Sequence, residues 1–355
     1  MNNVPSRRHT VLTTGRLALI TLSLLVLSAC ADSPQDTLKP AGEWARKLDS
    51  LWDAAFISAV VVFVIVEGLL VLVLVRFRAR GDDDAPRQVH GSTPLEIGWT
   101  ILPALILTVL SVPTVAAIWE LADEPENALQ IEVTGHQWWW EYDYPDLEVE
   151  TANELHIPAG TQVNVKLHSF DVIHSFWAPQ LFGKVDVVPG RENRLAMKAD
   201  EPGVYLGQCA EFCGLSHANM RLRVIVHTKA GFEQWLDDQR QDAAKPASGD
   251  AAGGYALFAE KGCGGCHTLA GNEGSAGANV GPNLTHLASR STFAGGIFDL
   301  TADNLARWLE NPSKMKPMQP GDNIGMPRAF PPGPDAKPLT EDEIAQLVAY
   351  LETLE

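Results

Sequence analysis

The sequence predicts a multidomain membrane-anchored chain: a two-helix transmembrane hairpin, then a β-sandwich or barrel, then a helical domain. Three observations carry this reading. Two long apolar runs lie near the N-terminus; short β-rich runs separated by turn signals follow; and a Cys motif and a capped amphipathic helix lie beyond an Ala/Gly/Ser/Asp/Pro-rich stretch. The length of 355 residues exceeds one typical domain. The mean hydropathy of -0.03 is that of an ordinary soluble protein, but it averages unlike blocks. A net charge of -17 excludes the basic character of a nucleic-acid binder, and 20% charged residues exclude a highly charged disordered chain. Five cysteines (Cys30, Cys209, Cys213, Cys263 and Cys266) are too few for a disulfide scaffold.

The first element, over 1–29, reads as an export signal. Arg7, Arg8 and Arg16 precede the apolar run Leu17 to Leu27. Leu27-Ser28-Ala29-Cys30 resembles the lipobox of bacterial lipoproteins, which implies cleavage before Cys30 and a lipid anchor on its thiol. An uncut first membrane helix is the alternative. Cleavage removes three Arg and no acid, taking the charge from -17 to -20.

The membrane hairpin occupies 30–127, with helices at about 54–75 and 97–118. Each run is about 22 residues, or about 33 Å as helix, enough to cross a bilayer. Glu67 is the one charge in the first run, and Pro103 and Pro113 are tolerable in the second. Arg76, Arg78, Arg80 and Arg87 place the connecting loop in the cytoplasm. Both ends of the hairpin then face outward, so everything beyond about Trp119 is extracytoplasmic.

Residues 128–235 contain alternating runs such as 129–133, 162–167 and 222–226, with turns at 158–160 and 189–190. Residues 236–252 read as a flexible linker. Residues 253–355 read as helical, ending in a helix with Thr340 as N-cap, Glu343 completing a capping box, and Ile344, Leu347, Val348 and Leu351 as its apolar stripe.

Within 209–220 stand two thiols, an imidazole and a thioether: Cys209, Cys213, His217 and Met220. Thiolate, imidazole and thioether donors suit copper, while Cys209, Cys213, His217 and a distant His would also make a zinc tetrahedron. The stretch as a whole resembles the dinuclear copper (CuA) loop of subunit II of cytochrome c oxidase, Cys-x-Glu-x-Cys-Gly-x-x-His-x-x-Met. Further matches fall in the family's order: 96–103 resembles the start of its second membrane helix, 135–140 its aromatic strand, and 171–176 the segment supplying its other histidine. The resemblance covers about 51–226. It implies a cupredoxin-like Greek-key β-barrel in which Cys209 and Cys213 bridge two copper ions. His174 binds one copper and His217 the other, with Met220 and the Glu211 carbonyl as weak ligands. It also implies a Mg²⁺ held by the Glu211 carboxylate and shared with subunit I, a surface Trp138 through which electrons enter, and Glu96 at the mouth of a proton path. Glu67 reads as a subunit contact or a neutral acid. His136, His156, His168 and His227 read as structural.

Cys263-Gly264-Gly265-Cys266-His267 is the C-x-x-C-H attachment motif of a covalent c-type haem, with His267 as proximal ligand. Residues from about 253 to 354 resemble a class I cytochrome c domain, with 281–284 matching the loop after the haem motif. The distal ligand is expected to be a methionine. Met326, in a run resembling Asn-Pro-x-x-x-Lys-Pro-Gly-x-x-Met-Pro, is favoured over Met318 and Met315, although the spacing here is a few residues longer.

Together these resemblances imply subunit II of a respiratory haem–copper cytochrome c oxidase in the bacterial cytoplasmic membrane. Electrons would pass from an outside donor, such as a cytochrome bc complex or a small cytochrome c, to haem c. From there they would pass to CuA and to subunit I, which bears haem and CuB and reduces oxygen with proton pumping; subunit III is a further expected partner. Two alternatives stand: the electron-input subunit of a CuA-containing nitric oxide reductase, and a membrane-tethered copper-delivery protein. From Asp250 onward the chain carries seven Lys/Arg against thirteen Asp/Glu, so a basic patch meeting an acidic one does not explain how its last domain docks.

Overall fold

The computed structural model describes Thr21, 33–78, Gln88, 91–271, 280–318 and 325–355. The signal segment apart from Thr21, Cys30, and Arg80 and Arg87 of the loop lie outside the described residues.

Helix α1 (Glu43–Arg76) and helix α2 (Thr93–Leu121) form the hairpin. Both outrun the apolar stretches read from sequence. The extra N-terminal turns of α1 are polar and leave the membrane: Trp44 and Ala45 are buried against the β-domain, and Arg46 pairs with Asp200. The membrane-spanning windows bury no residue, and their apolar side chains point outward all round, as lipid-facing helices require. Pro103 and Pro113 sit inside α2 without ending it. Glu96 lies in the first turn of α2, where its Oε1 accepts from the Ser92 amide at 3.2 Å and caps the helix start.

The β-domain packs two five-stranded sheets. One has β1 (Leu129–His136) at its centre, antiparallel to β2 (Trp139–Tyr144) and parallel to β5 (Val163–Ser169), with β3 (Val149–Ala152) and β8 (Asn193–Met197) at the edges. The other runs β4 (Glu154–Pro158), β10 (Arg221–His227), β9 (Gly203–Cys209), β6 (His174–Trp177) and β7 (Val185–Val187). Alternation puts Ile131, Val133, Val165, Leu222 and Val224 inward, where they meet Trp140, Tyr142 and Phe176 in one core. Each such aromatic contributes about 1.5–3 kcal/mol by leaving water.

Helix α3 (Lys229–Gln239) packs Phe232, Trp235 and Leu236 against this core. The stretch expected as a flexible linker is shorter and more ordered than its composition suggests. Helix α3 runs into it and helix α4 (Gly249–Glu260) begins within it. Ala243 is buried in the C-terminal core, and its amide donates to the Ala270 carbonyl at 3.1 Å. A small apolar side chain and one backbone bond suffice to pin the connection.

The C-terminal domain is mainly helical: α4, α5 (Ala302–Glu310), the single turn α6 (Pro312–Met315) and α7 (Glu341–Leu351), with a short ribbon of β11 (Thr292–Phe293) and β12 (Phe298–Asp299). Thr340 and Glu343 form the expected capping box, and the apolar stripe of α7 is buried. Helices α4 and α7 touch at Gly254, where a Cβ would lie 2.0 Å from the Gln346 carbonyl oxygen. Only glycine allows that approach.

Candidate metal centres

The sheet ladder brings the first cluster together. Strand β9 ends at Cys209, beside β6, which starts at His174. The intervening loop closes on itself: the Cys209 amide donates to the Met220 carbonyl at 2.8 Å, and the Ala210 amide to the Ser175 carbonyl at 2.9 Å. Inside this clamp Cys209 Sγ and Cys213 Sγ lie 3.7 Å apart. His174 Nδ1 is 4.0 Å from Cys209 Sγ, and His217 Nδ1 is 3.6 Å from Cys213 Sγ. Met220 Sδ is 3.8 Å from Cys213 Sγ, and the Glu211 carbonyl oxygen is 3.2 Å from Cys209 Sγ. Cys209, Cys213, His174 and Met220 are all buried.

This donor set fits a pair of soft metal ions. Two thiolates stand at bridging separation, each with its own imidazole, and a thioether and a carbonyl lie at opposite ends. A structural zinc site would need neither. Hydrogen bonding between the thiols pulls Cys209 down and pushes Cys213 up, so one thiolate is readily available.

A carboxylate aims the His174 ring. Asp171 Oδ1 lies 2.8 Å from His174 Nε2, and the same carboxylate accepts from the Gln137 and Val172 amides at 2.6 Å each. Burial opposes the charge on Asp171, but these hydrogen bonds outweigh it and hold its pKa below the usual carboxylate range. With Nε2–H held by Asp171, Nδ1 is the basic nitrogen and faces the thiols. The sequence reading gives Asp171 no role; its place three residues before His174 is the available signal.

Two aromatic-segment side chains hold the far side of the loop. Trp138 Nε1 and Gln137 Nε2 both donate to the Cys213 carbonyl, at 3.0 and 2.7 Å. Gly214 adopts φ +110, and a Cβ there would lie 2.9 Å from Gln137 Nε2. Trp138 is only 3% exposed, unlike the surface tryptophan expected. The reason is the C-terminal domain: the Lys316 ammonium donates to the Trp138 carbonyl, and Gly295 also abuts that oxygen.

The structural histidines have protein partners. His136 lies 2.9 Å from Glu141 and stacks on Trp139, His156 and His227 bond each other at 2.8 Å beside Trp235, and His168 lies 3.7 Å from Glu192. The Glu211 and Glu96 side chains are exposed.

The second cluster lines an apolar cavity of about 360 Å³. Cys263, Cys266 and His267 form one wall, and both Met326 and Met318 reach it. His267 Nδ1 donates to the Pro282 carbonyl at 2.8 Å, which fixes Nε2 as the basic nitrogen. Burial keeps this imidazole's pKa below its usual value and so favours the neutral, ligating form. A Cβ at Gly281 would lie 2.6 Å from the His267 ring. Met326 Sδ accepts from Trp308 Nε1 at 3.1 Å and packs with the helical core, whereas Met318 packs against the β-domain core. Two attachment thiols, a fixed imidazole and a facing thioether fit a covalent haem. His136, Trp138, Trp139 and Phe170 of the β-domain line the same cavity, so the two candidate centres share a border.

Family models match in the same order as the domains. "Cytochrome C oxidase subunit II, transmembrane domain" covers 35–117, "Cytochrome C oxidase subunit II, periplasmic domain" covers 147–227, and "Cytochrome c" covers 251–355. Cytochrome c oxidase subunit 2 of Alkalihalophilus pseudofirmus is 34% identical over 350 residues, 96% of this chain and 97% of that one. The chain belongs to the cytochrome c oxidase subunit II family. The subunit 2 of Bacillus subtilis is 36% identical over 322 residues, covering 85% of this chain and 89% of its own. The solved periplasmic domain of subunit II from Bradyrhizobium japonicum is 33% identical and covers 33% of this chain and 96% of that one, with a TM-score of 0.32. As a member of this family the chain is part of an oxidoreductase complex, with a membrane hairpin, a cupredoxin-like domain suited to copper and a cytochrome c domain suited to haem.

Proposed function

We propose that this subunit passes electrons from its own cytochrome c domain to its copper domain, and from there to subunit I, on the outer side of the bacterial cytoplasmic membrane. The observation that carries the reading is the closed cluster of Cys209, Cys213, His174, His217, Met220 and the Glu211 carbonyl. A site with its soft donors buried suits electron transfer. It suits copper delivery poorly, since a buried thioether and a clamped loop oppose release. When bound, a dinuclear copper centre and a covalent haem supply one-electron carriers of adjustable potential.

The chain's own residues do the rest. Cys209 and Cys213 would hold the copper, and Asp171 fixes the His174 ring so that little need move on reduction. The apolar cavity would exclude water around a haem, and His267 together with Met326, or Met318 as alternative, would hold its iron. Trp138 joins the cavity wall to the Cys213 carbonyl and is the route between the two centres. The exposed Glu211 carboxylate faces outward to share a Mg²⁺ with subunit I, Glu96 marks the proton-path mouth, and Cys30 carries the lipid anchor. A bc complex or a small cytochrome c supplies the electrons.

Metal analysis and optical spectroscopy of the purified full chain test this reading. Two coppers and one haem iron per chain, with purple mixed-valence copper bands and a c-type α band, are expected. Stoichiometric zinc without the purple bands overturns it.

A further inference from the structure

The border between the copper and cytochrome domains is built around two buried ionisable side chains, Glu154 and Lys316, and burial pushes the Lys316 pKa down to about 7. Glu154, at the start of β4 in the copper domain, is 2% exposed. Its carboxylate accepts from the Ser291 amide at 3.0 Å, Ser291 Oγ at 2.5 Å, the Thr292 amide at 3.0 Å and Thr292 Oγ1 at 3.0 Å. All four donors belong to the cytochrome domain. Lys316, just after α6 of the cytochrome domain, is 3% exposed. Its Nζ donates across the border to the Trp138 carbonyl at 2.6 Å and within its own domain to the Ala294 carbonyl at 2.8 Å. Between these points the Arg221 amide donates to the Gly295 carbonyl at 2.9 Å, and Ser216 Oγ to the Pro317 carbonyl at 2.5 Å.

A buried carboxylate or ammonium is costly unless it is hydrogen-bonded. Separating the domains would strip Glu154 of all these donors and leave the Ser291 and Thr292 amides unpaired until water replaced them. Glu154 and Lys316 therefore find these partners only in the docked arrangement. A basic patch is not the means, because the cytochrome domain is acidic overall. The countercharge is local: Arg290 is buried beside Glu154 and Glu150, and burial pushes its pKa down to about 10 against their pull.

We propose that Glu154 and Lys316 are a two-point latch that seats the cytochrome domain on the Trp138 face of the copper domain, and that this seat closes Trp138 to outside donors. The proposal rests on the electron-transfer reading above and adds the residues that position it. The step served moves one electron from the cytochrome domain to the copper domain; no bond forms or breaks and no proton moves. Lys316 holds the backbone of the residue whose indole bonds the Cys213 carbonyl, and Glu154 starts β4 and pairs with Arg223 on β10, the strand that leaves that loop. Both are positioning residues.

Glu154→Leu, Lys316→Met and Glu154→Gln in the assembled oxidase test the latch. Truncating one partner of a buried charged contact shifts the docked balance by on the order of 100-fold. Hydrogen exchange is expected to quicken by that factor at the Ser291 and Thr292 amides in Glu154→Leu, with the cores unchanged. The haem-to-copper rate is expected to fall at least tenfold in Glu154→Leu and in Lys316→Met and to become viscosity-dependent, while both reduction potentials and both spectra stay at parent values. Glu154→Gln, which keeps an acceptor oxygen, is expected to recover most of the rate. Unchanged exchange at Ser291 and Thr292 together with an unchanged rate overturns the latch while leaving the metal assignments standing. A fall in rate accompanied by shifted potentials overturns it too, since it would show a disturbed metal site instead of lost docking.

Discussion

Asp171→Ala removes the carboxylate that aims His174. In the parent that group makes three contacts: His174 Nε2 at 2.8 Å and the Gln137 and Val172 amides at 2.6 Å each. Loss of such an outer partner of a ligating histidine lowers metal affinity about 10–100-fold, or ~1.4–2.8 kcal/mol. Two of the three contacts hold backbone, one of them beside Trp138, so the upper half of that range is expected. Asp171→Asn keeps an acceptor oxygen and should fall between parent and alanine. Copper affinity is measured on the full chain by chelator competition, with far-ultraviolet circular dichroism confirming an equal folded fraction. The pH dependence gives a second readout. The native pKa of Asp171 is depressed, so its contribution to stability is present above the ordinary carboxylate value of ~4 and is lost as pH falls through the lower native value. The alanine variant should therefore lose less stability than the parent below about pH 4. Alanine copper affinity within twofold of parent would refute the argument that Asp171 orients the ligand.

Three further outcomes follow from single side chains. Tyr142 is fully buried, and its hydroxyl has no hydrogen-bond partner among the described residues, so Tyr142→Phe should raise stability by about 1 kcal/mol in urea unfolding. Burial also raises the Tyr142 pKa; the stability it carries is intact below the unfolded value of ~10 and is lost as pH rises past it, so the variant should resist alkaline unfolding better. Gly281→Ala puts a Cβ 2.6 Å from the His267 ring and should reduce the fraction of chain with a low-spin c-type spectrum while leaving the copper bands intact. Thr340→Ala breaks the capping box and should cost about 1 kcal/mol, read as a lower urea midpoint for the C-terminal domain.

The parts legible in the sequence are those whose chemistry is local. The proposed copper donors sit within one loop plus His174, the proposed haem attachment group is five consecutive residues, and the capping box of α7 is a four-residue pattern. The membrane runs were visible by length and lack of charge, but their ends were not: α1 begins in polar sequence at Glu43 because Trp44 and Ala45 find a buried seat on a distant domain. The contacts of the linker are illegible for a related reason, since nothing local shows that Ala243 is buried against residues beyond the haem motif. Trp138 was expected at the surface, as a one-domain comparison implies; a second domain covers it. Glu154 and Lys316 give no signal, because a buried ionisable group looks like any surface one until its partners, 137 and 178 residues away, are in place.

Electron injection into the cytochrome domain of the purified full chain, followed at the copper absorption bands, tests the central claim most directly. The docked arrangement predicts a single first-order phase whose rate does not change with protein concentration or solvent viscosity. A rate that scales with protein concentration, or copper reduced only when a separate donor is added, would contradict it.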